Sequence, residues 1–358
     1  MVAGLRGYAV SRCFAFPVIQ LARLRRALHI ISIALLTIVF LGFFLWNSNL
    51  SDVWQIIRST SVPWFVAGLI INFMALVFRT IRWRRLLDVD EKPAFYATFF
   101  ANTVGYMLST VLPIRAGDVA RPALLSRRSN VRFSAALGTV LTERILDLYS
   151  LLTLFIFYVV RHWHSYAGSR AYALIKSGAV AATGVIVALT ILVAGIVTFH
   201  ERMRRVHAWV GKFIPKRFRD AWMRFYDSFA QSLQLSRKPM TLLVVLLATV
   251  GVWFCLTAQF WFVLVANRHP LPFDASFFIS GLTTLGMIIP TPGGVGGFHK
   301  ACQLVLTTFY GFDIDTSVAV ALLFHVVGTL PVVLTGLILF AREGLRWKDV
   351  KGEITDNR

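Results

Sequence analysis

Apolar residues gather along this chain in blocks of about twenty or more, separated by short polar stretches, at 28–46, 62–81, 133–160, 171–199, 240–266 and 318–341. A block of that size is what a helix rising roughly 1.5 Å per residue needs to cross a ~30 Å hydrocarbon layer. Two further apolar runs, 95–112 and 274–290, are shorter, and each ends in a Pro/Gly motif. The pattern predicts an all-α polytopic membrane protein with eight hydrophobic segments.

Composition agrees: 57% of the 358 residues are hydrophobic and the mean hydropathy is +0.67, far above the share of a soluble domain. The longest polar stretch, 200–239, is too short for a soluble domain of any size. The apolar run after the N-terminal arginines is too long for a signal-peptide core and lacks a small-residue cleavage site, so it is read as the first span. The division expected is a basic cytoplasmic tail at 1–27, one membrane domain at 28–341 including the cytoplasmic loop 200–239, and a cytoplasmic tail at 342–358. Cys13, Cys255 and Cys302 are odd in number, far apart and in or beside apolar segments, which suggests packing rather than a disulfide framework or a zinc site.

The net charge of +20 raises nucleic acid as a partner, but its placement argues for topology instead. Five basic residues precede residue 28, four lie in 82–94, three in 126–132, ten in 200–239 and five after 341, which is 27 of 37. The stretches 47–61, 161–170, 267–274 and 311–317 hold 1, 2, 1 and 0. Lys and Arg concentrate on the cytoplasmic side, so both termini are expected there, in a bacterial-type plasma (inner) membrane, with anionic lipid as a secondary attraction.

That split dictates how the two short runs lie. If 95–112 crossed fully, Arg127, Arg128 and Arg132 would be external; a re-entrant hairpin that returns to the cytoplasm keeps them inside. The run 274–290 mirrors it, entering from outside and turning at Pro290–Gly297. Pro113-Ile-Arg-Ala-Gly117 stands against Pro290-Thr-Pro-Gly-Gly294, each proline ending an apolar run. Six full spans plus two re-entrant hairpins in an inverted repeat follow, a transporter design in which broken helices meet near the midplane.

Six basic residues fall outside the loop tally: Arg79, Arg115, Arg121, Arg144, Lys176 and Lys300. Arg79 and Lys176 lie near helix ends and are read as snorkelling. The other four, with Asp118, Glu143 and Asp147, are expected at membrane depth, where ionisable groups face a partner or a wet cavity. Glu143 is placed about halfway through the core, ten residues beyond Phe133, and Arg144 and Asp147 share a helix face. Four positive charges against three negative suit a phosphate-bearing head group, which Arg can grip at two points. Gly117, Gly293 and Gly294 permit close approach of backbone N–H groups, with Pro292 in the same turn, and the return helices start at depth with their positive ends facing the cavity. The alternative is that Arg115, Asp118 and Arg121 satisfy one another and stabilise the hairpin.

His162 and His164 suit an outer-loop surface better than a metal site, and His325 suits helix packing better than a proton relay. Trp46, Trp64 and Trp163 fit an interfacial belt. Basic and aromatic residues alternate from Glu201 to Leu233, the pattern of an amphipathic helix pair on the inner leaflet or of a solvated loop.

Four stretches, "FRTIRWRRLL" (78–87), "LPIRAGDVARPALL" (112–125), "LTERILDLYSLL" (141–152) and "IPTPGGVGGFHKACQLVL" (289–306), occur in the order seen in the lysylphosphatidylglycerol synthase transmembrane-region family, and the resemblance spans most of the chain. Pro113, Arg115, Gly117, Asp118 and Arg121 meet the family's Pro-x-Arg-x-Gly-acid-x-x-Arg pattern, and Glu143, Arg144 and Asp147 its Glu-Arg-x-x-Asp. Where many members carry Arg-Glu after the Pro-Gly-Gly turn, this chain has Phe298 and His299, so a carboxylate role does not carry over to His299. The resemblance implies lipid translocation, with aminoacyl transfer residing in a separate domain. The chain ends 17 residues past the last expected span, which leaves no room for a transferase, so lysyl transfer is not expected of it.

Three function classes stay open. The first is a flippase for an anionic lipid, the second a membrane-embedded enzyme acting on a lipid phosphate through Glu143, Asp118 or His299, and the third an accessory subunit of a lipid-synthesis enzyme. The absence of a nucleophile–base pair, metal-ligand spacing or nucleotide loop weighs against the second. The expectation is therefore a transporter, not an enzyme, with no cofactor or metal. Its partners are an anionic membrane lipid and, further, a second copy of the chain or a lipid-synthesis enzyme, but no nucleic acid. The residues expected at the substrate are Arg115, Gly117, Asp118, Arg121, Glu143, Arg144, Asp147, Pro292, Gly293, Gly294, His299 and Lys300.

Overall fold

The structure, a computed structural model, describes residues 35, 37–87, 92–112, 116–166, 172–234, 238–287 and 292–343. Its regular secondary structure there is entirely helical. Four helices are long and apolar enough to cross a bilayer: Val62–Leu86, Tyr172–Thr198, Pro239–Ala266 and Ile314–Arg342. Helix Phe133–Arg161 has the length, at 29 residues, but carries Glu143, Arg144 and Asp147 in its first half. The first expected span is described only from residue 35 onward, with residues 37–45 helical. The two short apolar runs form hairpins of short arms, Phe95–Val111 with Gly117–Arg128 and Ala275–Gly286 with Gly297–Tyr310. At 17, 12, 12 and 14 residues, each arm is shorter than the ~20 residues a full crossing requires.

Each hairpin closes on a pair of glycines. Gly105 faces Gly117 and Gly286 faces Gly297, so tightly that a Cβ on Gly117 or Gly286 would fall inside the shell of the opposing carbonyl oxygen. The turn of the second hairpin needs a left-handed backbone, with φ of 62° at Gly293 and 72° at Gly294, a conformation that glycine adopts without a Cβ penalty.

The packing of the helices repeats. Helices 62–86 and 239–266 lie antiparallel along one another: Ser61 N donates to the Ala266 oxygen at 2.9 Å at one end, Asn72 bonds Gln259 at 2.5 Å, and Gly251 faces Phe78 further along. Each leads into a hairpin and then a long helix, and those long helices exchange partners. Helix 133–161, after the first hairpin, packs on arm 275–286 of the second; helix 314–342, after the second, packs on arm 95–111 of the first. Two separate cores result, one around Trp83, Phe100, Met107 and Leu125, the other around Phe278, Val305, Leu306 and Val318.

The connecting segments gather at two ends of the bundle. Asn49 N donates to Asp315 at 2.7 Å, Thr60 bonds Asn267, and Arg161 and His162 both reach Asp274 at 2.9 Å, so the expected external loops share one end. At the other end Arg128 and Tyr96 meet Glu343, at 2.8 and 3.1 Å.

One expectation about the polar stretch changes. Helix Lys216–Gln234 is not an outlying surface helix, because Tyr226, Phe229, Ala230 and Leu233 pack with Ile145, Val193, Ile196 and Val197. Gly138 lies against the backbone of Phe229, where a Cβ would meet its nitrogen at 2.8 Å, and Thr142 bonds Ser232 at 2.5 Å.

Candidate functional site

Helix 62–86, both arms of the first hairpin and helix 133–161 converge on a buried charged cluster. Two arginines flank one carboxylate at its centre: Glu143 Oε1 accepts from Arg82 Nε at 3.2 Å and Oε2 forms an ion pair with Arg121 Nη1 at 2.7 Å without hydrogen-bond geometry, and all three side chains are at most 1% exposed. Arg82 also reaches Asp147 at 2.7 Å. Toward the rim, Arg144 pairs with Asp118 (Nε to Oδ2, 3.2 Å) and with Asp147 (3.5 Å), these three side chains being 20–29% exposed. Helix 133–161 positions the acids because Glu143, Arg144 and Asp147 fall within about one turn. The hairpin supplies Asp118 and Arg121 from the first turn of its return arm, with Asn102 and Tyr106 one turn apart on the opposite arm.

Tyr106 is the hub of the cations. Arg79, Arg121 and Arg144 lie with their guanidinium carbons 4.4, 5.2 and 5.9 Å from its ring centre, and Arg121 is also 5.1 Å from Trp83. Asn102 accepts from Arg121 Nη1 at 3.0 Å, and Trp83 donates to Thr139 at 2.9 Å, which fixes its ring. The cluster therefore holds four arginines, Arg79, Arg82, Arg121 and Arg144, against the three carboxylates Asp118, Glu143 and Asp147. Several of its buried donors stay unsatisfied: Arg79 Nε, Arg82 Nη2, Arg121 Nε and Nη2, and the Tyr106 hydroxyl have no hydrogen-bond partner among the described residues. Orphaned guanidinium groups at this depth are costly unless a ligand or water meets them.

The cluster lies nearer one end of the bundle than the sequence suggested. Tyr149 bonds Thr190 at 2.9 Å across antiparallel neighbours, so Thr198, eight residues on, stands level with about residue 141. Glu143 is therefore close to where helix 172–198 stops, not midway along a span, because helix 133–161 projects about two turns past its neighbour.

The predicted residues divide into three groups. Asp118, Arg121, Glu143, Arg144 and Asp147 come together, with Gly117 at the hairpin crossing behind them. The expected Arg144–Asp147 pairing is present, and the partner of Asp118 is Arg144. Arg115 and Pro113 lie outside the described residues, as does the side chain of Pro292. Gly293, Gly294, His299 and Lys300 belong to the second hairpin, apart from the cluster. A Cβ on Gly293 would stand 3.1 Å from the Thr110 oxygen, so the second turn abuts the tip of the first hairpin, one turn beyond Tyr106. His299 accepts from Gly296 N at 3.2 Å and stacks on His325 at 4.6 Å, while Lys300 bonds Gln303 at 2.7 Å and covers the ring of Phe43.

Four members of the site escaped the sequence reading. Arg82 was counted as a loop residue and Arg79 as a snorkelling one, yet their i, i+3 spacing on a helix puts them on neighbouring faces pointing at the same hairpin. Asn102 and Tyr106 carry no charge, and only their polarity within an apolar run marks them.

Comparison with known proteins agrees with this architecture. The profile described as "Lysylphosphatidylglycerol synthase TM region" matches residues 29–336. A UPF0104 membrane protein of Methanocaldococcus jannaschii is 24% identical over 234 residues, covering 65% of this chain and 92% of that protein. The glycosyltransferase AglD of Haloferax volcanii is 23% identical over 343 residues, covering 88% of this chain but 54% of that protein, so the chain spans about half its length. With the match running through both hairpins and every helix of the arginine cluster, the chain belongs to the lysylphosphatidylglycerol synthase TM region family.

Proposed function

We propose that this chain is a translocator that moves a lipid with an anionic, phosphate-bearing head group between leaflets, using the arginine cluster at the first hairpin as its head-group site. The single observation that carries the reading is the set of unspent donors, Arg79 Nε, Arg82 Nη2, Arg121 Nε and Nη2 and Tyr106 Oη, buried where positive charge exceeds negative by one. A phosphate monoanion would balance that charge and accept those bonds, two at a time from Arg121. Asp118, Glu143 and Asp147 hold the guanidinium groups apart and oriented, so the site is preformed.

In this reading the chain has six full spans and two re-entrant hairpins in an inverted repeat, with both termini cytoplasmic in a bacterial-type inner membrane. The short arms, the exchanged packing of helices 133–161 and 314–342, and the sorting of loops to two ends support it. The cluster then opens near the cytoplasmic face, while the junction of Gly293 with the first hairpin lies deeper on the path. No bond to the lipid is made or broken, so the chain acts as a transporter, not an enzyme.

Vesicles reconstituted with the full chain and carrying head-group-labelled phosphatidylglycerol or phosphatidylcholine test this. Transfer of the phosphatidylglycerol label to the opposite leaflet, with no new lipid species, is expected. Equal transfer of both labels, or none, would overturn the reading. A second reading has one observation in its favour, the relative named a glycosyltransferase: the chain would serve as the membrane partner of an enzyme using a lipid-linked sugar. Activity that appears only when such an enzyme is added would select it.

A further inference from the structure

The polar stretch after helix 172–198 separates into two unlike helices. Helix 216–234 packs inward, as described above. Helix His200–Gly211 follows helix 172–198 after one non-helical residue, Phe199 (φ −111°, ψ 41°). Its inner face is closed by stacking: His207 lies 4.3 Å from the Trp222 ring and 4.2 Å from Tyr226, and Gly211 is buried against Trp222. Its opposite face is bare. Phe199, Val206, Val210 and Phe213, spaced by seven, four and three residues, are 51, 53, 38 and 76% exposed, and Trp209 beside them is 58% exposed. Val206 and Val210, one turn apart, share a face of the helix, and Phe199 and Phe213 stand exposed at its two ends.

Charge and position identify what covers this face. Residues 199–213 carry Arg202, Arg204, Arg205 and Lys212 against Glu201. Asp227 takes up Arg204 at 3.0 Å, whereas Arg202, Arg205 and Lys212 have no acidic partner among the described residues. The guanidinium of Arg202 lies 5.5 Å from the Phe199 ring, at an open surface groove lined by Phe199, Glu201, Arg202, Arg205 and Gln234. Helix 172–198 is long and apolar enough to cross a bilayer and buries only Ile175, Ala182 and Ile196 among its described residues, which leaves most of its surface for lipid; a span of that length would end, at the elbow, near the head groups.

We propose that the elbow 199–213 is a second lipid site, separate from the arginine cluster, that binds an anionic glycerophospholipid of the adjoining leaflet. Phe199, Val206, Val210 and Phe213 enter the acyl boundary, and Arg202 and Arg205 hold the lipid phosphate at the elbow groove. A neutral lipid would cover the face and leave both arginines uncompensated. The site rests on the membrane-spanning character of helix 172–198 and not on translocation, so it stands or falls independently of the proposed transport.

The test places the full chain, with Cys13→Ser, Cys255→Ala, Cys302→Ala and Phe213→Cys bearing an environment-sensitive fluorophore, in nanodiscs of phosphatidylcholine with rising phosphatidylglycerol. Phosphatidylglycerol should shift the emission to the blue and shield the probe from iodide. Arg202→Gln with Arg205→Gln should weaken that response by about twentyfold, each cation near an anionic surface being worth roughly fivefold. Inorganic phosphate should not compete, which separates a lipid from a free anion. In parallel, brominated phosphatidylglycerol should quench a fraction of the native tryptophan fluorescence that Trp209→Phe removes, which covers the case of a cysteine-free chain that folds poorly. A probe that stays open to iodide at all compositions, an unchanged response in the double arginine variant, or competition by phosphate would overturn the proposal.

Discussion

In the first hairpin the arms cross at Gly105 and Gly117, and the space beside that crossing holds Asn102, Tyr106 and Arg121. In the second they cross at Gly286 and Gly297, and the buried side chains of its arms, Thr283, Cys302, Val305 and Leu306 among them, include no Arg, Lys, Asp or Glu. The backbone device is the same, but one filling is charged and the other is not. A buried ion network is weak support for stability, since apolar residues of similar volume serve as well or better; the second hairpin demonstrates the cheaper solution inside the same molecule. What the first hairpin gains from its charges is therefore to be sought in a ligand, and the unspent arginine donors supply the reason. His299 of the second hairpin accepts from Gly296 N and lies against His325 of helix 314–342.

The largest expected effect tests the shared device. Gly117→Ala places a methyl against the Gly105 carbonyl and Gly286→Ala one against that of Gly297, and in neither case is the obstacle a flexible side chain. Both variants should lose most folded protein, read as monodisperse yield in detergent. If one hairpin accepts its alanine with normal yield, the two are not equivalent devices.

Next in size are the changes that separate the fillings. Glu143→Gln leaves Arg82 and Arg121 facing each other without their shared carboxylate, a loss of roughly 3–5 kcal/mol in comparable soluble cases. In the second hairpin His299→Gln keeps a polar group of similar reach toward Gly296 and should cost about 1 kcal/mol, one ordinary hydrogen bond. Thermal melting of the two variants in the same detergent gives the order; a larger shift for His299→Gln would reverse the assignment of the charged side. Arg121→Lys keeps the charge that Glu143 needs but removes the planar grip and the stacking on Trp83 and Tyr106. Its melting temperature should stay near wild type while phosphatidylglycerol transfer falls at least tenfold. A matching loss of stability would make Arg121 a structural ion.

These contrasts also show what could be read without coordinates. Charges standing in apolar runs exposed Asp118, Arg121, Glu143, Arg144 and Asp147, since an ionisable group at depth needs a reason. The same rule hid Arg82, because a basic residue near the end of a span is normally a loop residue, and only the fold shows helix 62–86 carrying it intact to Leu86. Tyr106 was invisible because its role is to be a ring among guanidinium groups. Lys300 joins the expected site as a charge within an apolar run and His299 through the family pattern, yet both stand on the second hairpin, where Lys300 bonds Gln303 and His299 accepts from Gly296 N. Helix 216–234 was misread as a surface element because its inward face, Tyr226, Phe229 and Leu233, has the same composition as a membrane-surface face.

The smallest effect concerns the fastenings at the two ends. The helix after each hairpin is tied to the other hairpin: Arg161 and His162 to Asp274 at one end, Glu343 to Arg128 and Tyr96 at the other. The hydrogen bond from Arg128, chiefly, holds the Glu343 carboxyl below its usual range. A carboxyl depressed by folding contributes stability that is full above its unfolded value, about 4.3, and is lost as pH falls through the folded value. Both side chains of the pair are about a quarter exposed, at 25% and 27%, so the contribution is small, below about 1 kcal/mol. Glu343→Gln should thus lower the melting temperature slightly at neutral pH, and the gap to wild type should close as the pH falls through the folded value, where the native carboxyl protonates too. A gap that persists unchanged into acid would mean that Glu343 acts through packing alone, and that the fastening of helix 314–342 to the first hairpin is not ionic.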